Sequence, residues 1–269
     1  MTRPTTGYAY LDDVPGGHPV IAMAHRGGAA HPDLVGLENT TYAFQHAVEL
    51  GYRYLETDVH LTADGQLIAF HDDVLDRVTD GTGPVATASA AQIASARIGE
   101  THPIPFLVDL LDEFADCRFN VDLKADGTPS VLVDLLDKLG AHDRVCVGSF
   151  SQHRIREFRI RAAGRVATSA SPAEVGLFLA APGGSIARRL TCGRVAALQV
   201  PHHRGALPVV NGALVRKAHA AGAQVHVWTV DDPEEMVELL DLGVDGLITD
   251  RTDLLKDLLV TRGLWEDRR

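Results

Sequence analysis

Cysteine is scarce. Cys117, Cys146 and Cys192 are the three thiols in 269 residues, and none stands in a CxxC pair. A disulfide framework and a thiolate metal cluster are therefore excluded, and a reducing cytoplasmic setting is expected. No eighteen apolar residues run together, and Met1 to Pro19 holds no apolar stretch of signal-peptide length. Neither an integral membrane segment nor a secretory leader is predicted. Positive charge is in deficit, with 25 Lys and Arg against 36 Asp and Glu and a net charge of −11. No basic cluster interrupts this, so nucleic acid would be repelled and any phosphate the protein handles should be small. GxSxG, GxxxxGK[ST] and HExxH are also missing, and no EF-hand loop surrounds Asp58 to Asp64. The pairs beginning at Gly27 and Gly183 do not make dinucleotide fingerprints, and no repeat or low-complexity tract emerges.

What is present is an alternation. Short apolar runs at Val20–Ala24, Tyr54–His60, Arg118–Lys124, Arg144–Val147, Arg165–Thr168, Val195–Val200, Gln224–Trp228 and Gly246–Ile248 are separated by longer amphipathic stretches. Helices are expected over Asn39–Leu50, Pro129–Leu139, Ser151–Arg161, Pro172–Ala180, Asn211–Ala221, Pro233–Leu240 and Asp253–Leu259. Asp232 before Pro233 reads as a cap, and Gly51 and Gly222 fall where helices should stop. Eight strand–helix units in a chain of this length predict an α/β fold, a TIM (β/α)8 barrel, forming one domain over 1–269. Residues 61–104 break the rhythm. Ala63-Asp64-Gly65 reads as a hairpin turn and Leu67–His71 as a returning strand, giving a small insertion after the second strand.

Catalytic groups of such a barrel gather where strands end. The first run ends in His25-Arg26-Gly27-Gly28, by itself a weak signal. In the second, Glu56, Asp58 and His60 alternate and share one face of a strand. Inward-facing carboxylates repel, so a cation or basic groups must neutralise them; the alternative is a solvated outer face with Thr57 and Val59 pointing in. The third run places Asn120, Asp122 and Lys124 on one side, a further carboxylate and an ammonium next to the second run. Asp122 and Lys124 could also be a simple internal ion pair. Carboxylates without cysteine favour a hard divalent metal ion, Mg²⁺ or Ca²⁺. His71-Asp72 hangs a second imidazole over the same mouth. Cleaving a phosphodiester requires charge neutralisation, a deprotonated attacking oxygen and a protonated leaving alcohol. The metal, Arg26, Lys124, His25 and His71 together cover these needs.

In order, His25-Arg26-Gly27, Glu38-Asn39-Thr40, Glu56-x-Asp58, His71-Asp72, Asp122-x-Lys124 and Trp228-Thr229-Val230 resemble the motifs of the glycerophosphodiester phosphodiesterases. The resemblance runs from about residue 20 to 258. It implies a small-molecule substrate, a glycerophosphodiester hydrolysed to glycerol 3-phosphate and an alcohol. Carried over residue by residue, Glu56, Asp58 and Asp122 would hold the metal, and His25 and His71 would be the acid/base pair. Arg26 and Lys124 would grip the phosphate, with Asn39 close to both metal and phosphate. Glu38 would order the first helix or touch the glycerol, the Thr40 and Thr41 hydroxyls would cap, and Trp228 would wall the pocket. One departure stands out. The family usually has Glu where this chain has Asp122, so the ion must sit closer to that strand or take a water in the gap. Sphingomyelinase D-like barrels use aspartate there, which keeps open a phospholipase D-type enzyme acting on lysophospholipids. A non-catalytic barrel binding phosphorylated ligands is the third reading. His60, His202, His203 and His226 are expected to be structural or substrate-shaping, and Ser149-Phe150 carries no assigned chemistry.

Overall fold

The computed structural model describes residues 3–265. Eight parallel strands make the expected barrel: β1 Ile21–His25, β2 Tyr54–Leu61, β3 Arg118–Leu123, β4 Val145–Gly148, β5 Ala167–Thr168, β6 Ala197–Pro201, β7 Gln224–Trp228 and β8 Gly246–Thr249. They are ordered β5-β4-β3-β2-β1-β8-β7-β6. The ring meets itself between β5 and β6 through one parallel bridge, Ser169 to Ala197. Hydrogen bonds from Ala196 N–H to Thr168 O (3.0 Å) and from Ala170 N–H to Ala197 O (2.9 Å) flank it, so this seam is the thinnest of the barrel.

The period of two decides what each strand shows to each side. Leu55 and Val59 of β2, Phe119 and Val121 of β3 and Val225 and Val227 of β7 join the layer beneath the helices, with Phe44, Leu132, Phe158 and Leu214. The inward positions alternate with them. Near the strand starts these are apolar: Ile21, Met23, Tyr54, Cys146, Ala167 and Ala197. A short helix not anticipated in the sequence, Ala9–Asp12, closes this end by burying Tyr10 and Leu11. Its carbonyls also accept from side chains inside the barrel. Arg118 Nη1 donates to Ala9 O and Tyr10 O at 2.6 Å, and Tyr54 Oη donates to Tyr10 O at 2.7 Å.

Outer helices follow the expected segments: Thr41–Glu49, Thr128–Leu139, Gln152–Ala162, Pro172–Ala180, Gly212–Ala221, Pro233–Leu242 and Thr252–Thr261. Thr40 caps the first by accepting from Ala43 N–H, and Asp232 accepts from Glu234 and Glu235 N–H. Gly222 ends its helix at φ 78°, a conformation a side chain would resist. Two further helices, Leu107–Glu113 and Gly184–Leu190, lack a side-chain cap, which is the signal that would have marked them.

The insertion after β2 is ordered around its own apolar cluster. Leu67–Ala69 pairs antiparallel with β2, Val59 opposite Ala69 and Leu61 opposite Leu67. Ile68, Phe70, Leu75, Val85, Ile93 and Ile98 then form a core separate from that of the barrel. This small core gives His71 and Asp72 a fixed base over the mouth.

Candidate active site

The C-terminal ends of the strands open into a cavity of about 650 Å³, lined by His25, Arg26, Glu56, Asp58, His71, Asp122, Lys124 and Trp228 among others. Eight of the ten residues singled out in the sequence thus share one chamber. Glu38 and Asn39 stand behind it, reached through hydrogen bonds.

The loop after β1 folds back so that Asn39 N–H donates to Arg26 O at 2.9 Å. Arg26 and Asn39 take left-handed backbones, φ 51° and 59°, a cost that non-glycine residues bear only when their surroundings impose it. Gly27 lies so close to the following helix that an added Cβ would come within 2.7 Å of Ala43 Cβ. That closeness aims the Arg26 side chain across the mouth. Its Nη1 donates to Glu38 Oε1 at 3.2 Å. Its Nε lies 3.1 Å from Asp58 Oδ2, but without hydrogen-bond alignment, so both atoms are buried and lack a hydrogen-bond partner.

Asp58 and Asp122 are cross-strand neighbours, as are Glu56 and Asn120. The Lys124 ammonium stands between the two aspartates, 2.8 Å from Asp58 Oδ1 and 2.6 Å from Asp122 Oδ2. It therefore belongs to a three-membered ionic group rather than to a simple pair. Burial would raise Asp58, but Lys124 and Arg26 outweigh it and hold that carboxyl below its usual range. Asp122 remains raised, because burial exceeds what Lys124 returns. Glu56 is farthest from a cation. Burial, with Asp58 beside it, pushes it up to about 7. Glu56, Asp58 and Asp122 all line the chamber, but their oxygens do not gather within 4.8 Å of one another, unlike the side chains of two clusters elsewhere among the described residues.

Both histidines are braced from behind. His25 Nδ1 is 2.8 Å from Asp250 Oδ1, while its Nε2 lies 3.7 Å from Glu56 Oε2. Burial lowers His25, yet Glu56 and Asp250 outweigh it and raise its pKa overall. His71 Nδ1 is 2.6 Å from Asp72 Oδ1. Asp72 is clamped by Arg77, whose Nε is 2.5 Å from Oδ2 and whose other nitrogens reach Glu38 at 2.7 and 2.9 Å. Hydrogen bonding from Arg77 brings the Asp72 carboxyl down to about 2. Glu38 thus joins the β1 loop to the insertion instead of ordering the first helix. Asn39 Oδ1 accepts from Thr57 Oγ1 at 2.7 Å, which leaves its buried Nδ2 without a partner.

The sequence reading missed the braces. Asp250 lies at the end of β8, where the fold places functional groups, but only the 225-residue closure of the barrel brings it to His25. Arg77 carried no signal at all. His60 Nε2 donates to His71 O at 3.1 Å beneath the site, and His226 lies wholly buried beside Gln224 and Gln199. The far wall is apolar: Pro172, Val175, Leu179 and Val209 line it, and Phe150 meets Trp228 edge to face at 5.7 Å.

Comparison with known proteins agrees with this geometry. The family model described as the glycerophosphoryl diester phosphodiesterase family matches residues 25–254. A Mycobacterium tuberculosis protein called "Probable glycerophosphodiester phosphodiesterase 2" is 42% identical over 248 residues, covering 91% of this chain and 93% of its own. A lysophospholipase D of Homo sapiens is 26% identical over 271 residues, covering 88% and 85%. Among solved structures, an Oleispira antarctica phosphodiesterase in complex with the product sn-glycerol-3-phosphate superimposes with a TM-score of 0.72 at 23% identity, covering 90% of this chain and 97% of that one. A match across almost the whole barrel, with a relative above 40% identity, means that this chain belongs to the glycerophosphoryl diester phosphodiesterase family.

Proposed function

We propose that the protein hydrolyses glycerophosphodiesters to glycerol 3-phosphate and an alcohol, with His25 and His71 as the acid/base pair. The observation that carries this is the bracing of both rings. Each has Nδ1 tied to a carboxylate, Asp250 or Asp72, and each lines the same chamber. A carboxylate at Nδ1 fixes the tautomer and leaves Nε2 to exchange protons with a substrate. One Nε2 takes the proton of the attacking oxygen, and the other returns one to the departing alcohol. Arg26 and Lys124 bind the non-bridging oxygens, Arg26 with the fork that suits phosphate, and the unpartnered Nδ2 of Asn39 suits a phosphate oxygen.

A divalent ion fits this donor set. Asp58 Oδ2 is a buried carboxylate oxygen without a hydrogen-bond donor, and Glu56 lacks a close cation. Both defects would be mended by a hard cation, Mg²⁺ or Ca²⁺, held by Glu56, Asp58 and Asp122. When bound, it supplies charge neutralisation at the phosphoryl oxygens. With the ion neutralising the aspartates, Lys124, which now stands between Asp58 and Asp122, would be left to bind the phosphate.

The test is release of glycerol 3-phosphate from glycerophosphocholine. Chelator should abolish it, and His25→Ala or His71→Ala should lower kcat by roughly 10³. Failure to turn over any glycerophosphodiester would overturn the reading. The apolar wall favours a second reading, in which acylated diesters such as lysophospholipids also enter with the chain along Val175 and Leu179. A panel of both substrate types separates the two. A single barrel domain and a cytoplasmic setting complete the proposal. Barrel strands running from Ile21 to Thr249 support the first, and free thiols at Cys117, Cys146 and Cys192 support the second. No helix among the described residues is long and apolar enough to cross a membrane.

A further inference from the structure

Among the described residues, two clusters of imidazole and carboxylate lie apart from the groups described above. In one, His202 Nδ1 is 2.7 Å from Glu235 Oε1, so that carboxylate is already engaged in a hydrogen bond. The other, His31, Asp33 and His46, differs. It brings one ligand atom from each residue within 4.8 Å of the others, and neither imidazole is hydrogen-bonded to the carboxylate. Asp33 Oδ2 stands 3.9 Å from His31 Nδ1 and 4.0 Å from His46 Nε2, and the two rings lie 4.4 Å apart, centre to centre.

These distances are too long for hydrogen bonds yet suit a common ion. Atoms 3.9 to 4.0 Å apart can each lie about 2.1 Å from one cation, with the angle at the ion opened past tetrahedral. The Asp33 side chain is 73% exposed, so a small rotation can close that angle and solvent can deliver the ion. His31 Nδ1 accepts a long hydrogen bond from Asp33 N–H at 3.2 Å, which coordination at this nitrogen would displace. His46 Nδ1 is buried without a hydrogen-bond partner.

We propose that His31, Asp33 and His46 form a second cation site, for a transition ion of the Zn²⁺ class with solvent completing its coordination. Two imidazoles and one carboxylate make a softer donor set than the all-oxygen group at the barrel mouth, so the two sites sort ions differently. His31 and Asp33 lie on the loop that begins with Arg26 and ends at Glu38 and Asn39, and His46 lies on the helix after it. A bound ion therefore pins the loop that carries the phosphate-gripping side chains.

The test uses the full chain, freed of metal and then held in excess Mg²⁺, titrated with Zn²⁺ by calorimetry and with Co²⁺ by its visible spectrum. One equivalent should bind to the unaltered protein and to His203→Ala. Affinity should fall at least tenfold in His46→Gln and in Asp33→Asn, the latter at an exposed position that spares folding, with hydrolysis in Mg²⁺ unchanged. No Zn²⁺ binding under these conditions, equal binding by all variants, or loss in His203→Ala alone would overturn the proposal.

Discussion

The two ends of the barrel interior treat charged groups differently. At the closed end Arg118 spends its Nη1 donors on Ala9 O, Tyr10 O and the Tyr54 hydroxyl. One layer up, His226 Nε2 meets Gln224 Oε1 at 3.1 Å, while its Nδ1 faces Gln199 Nε2 at 3.5 Å. Buried groups without a hydrogen-bond partner occur at both ends, the neutral Tyr10 hydroxyl at the closed end and Asp58 Oδ2, Arg26 Nε and Asn39 Nδ2 at the mouth. Leaving such groups unmatched costs stability, and at the mouth that cost falls on groups of the ligand chamber, two of them charged.

If that contrast holds, substitutions at the mouth should cost activity and those within the barrel should cost stability. The largest expected effect is that of Glu56→Gln. It should lower kcat by roughly 10³, while the melting temperature in chelator does not fall, since a poorly neutralised buried charge has gone. A melting temperature several degrees lower would break the comparison.

Next is the pH response of His226, which burial brings down to about 4 from an ordinary 6.5. The group is neutral in both folded and unfolded chains above pH 6.5, so its contribution is complete there. As pH falls from 6.5 towards 4, the unfolded chain takes up a proton that the folded one refuses. About 3 kcal/mol of stability should be lost across this window. Denaturant titrations at pH 7 and pH 4.5 should show a smaller difference for His226→Gln than for the unaltered chain.

Asp250→Asn should lower kcat by about 10² with little change in KM, because His25 loses the group that orients it and favours its protonated form. The pH–rate profile separates this from misfolding: the limb belonging to His25 should move to lower pH. Smallest is Arg77→Ala, expected to cost about tenfold in kcat. Its half-exposed guanidinium acts only through Asp72 and Glu38, and Arg77→Lys should restore part of the loss. An effect of Arg77→Ala as large as that of His71→Ala would mean that it touches substrate itself.

Much of this was written along the chain. The alternation of apolar runs announced the barrel, because strands of two-residue period and helices of 3.6 need different patterns. The strand ends carried His25, Glu56, Asp58, Asp122, Lys124 and Trp228 in plain sight, since a shared face follows from spacing alone. Thr40 and Asp232 were legible as caps for a similar local reason. The Leu107–Glu113 helix was not, having no capping side chain, and neither was the Ala9–Asp12 plug, which is one turn long and has no period to show.

What tertiary structure decided is the pairing of distant groups. Asp250 reaches His25 only because β8 returns beside β1, and Arg77 joins Glu38 to Asp72 only because the insertion folds on a core of its own. Lys124 between two aspartates, rather than on one, is likewise a matter of strand register. Local spacing determines which face a side chain takes. The partner it meets there depends on contacts between segments tens to hundreds of residues apart, which no local pattern encodes.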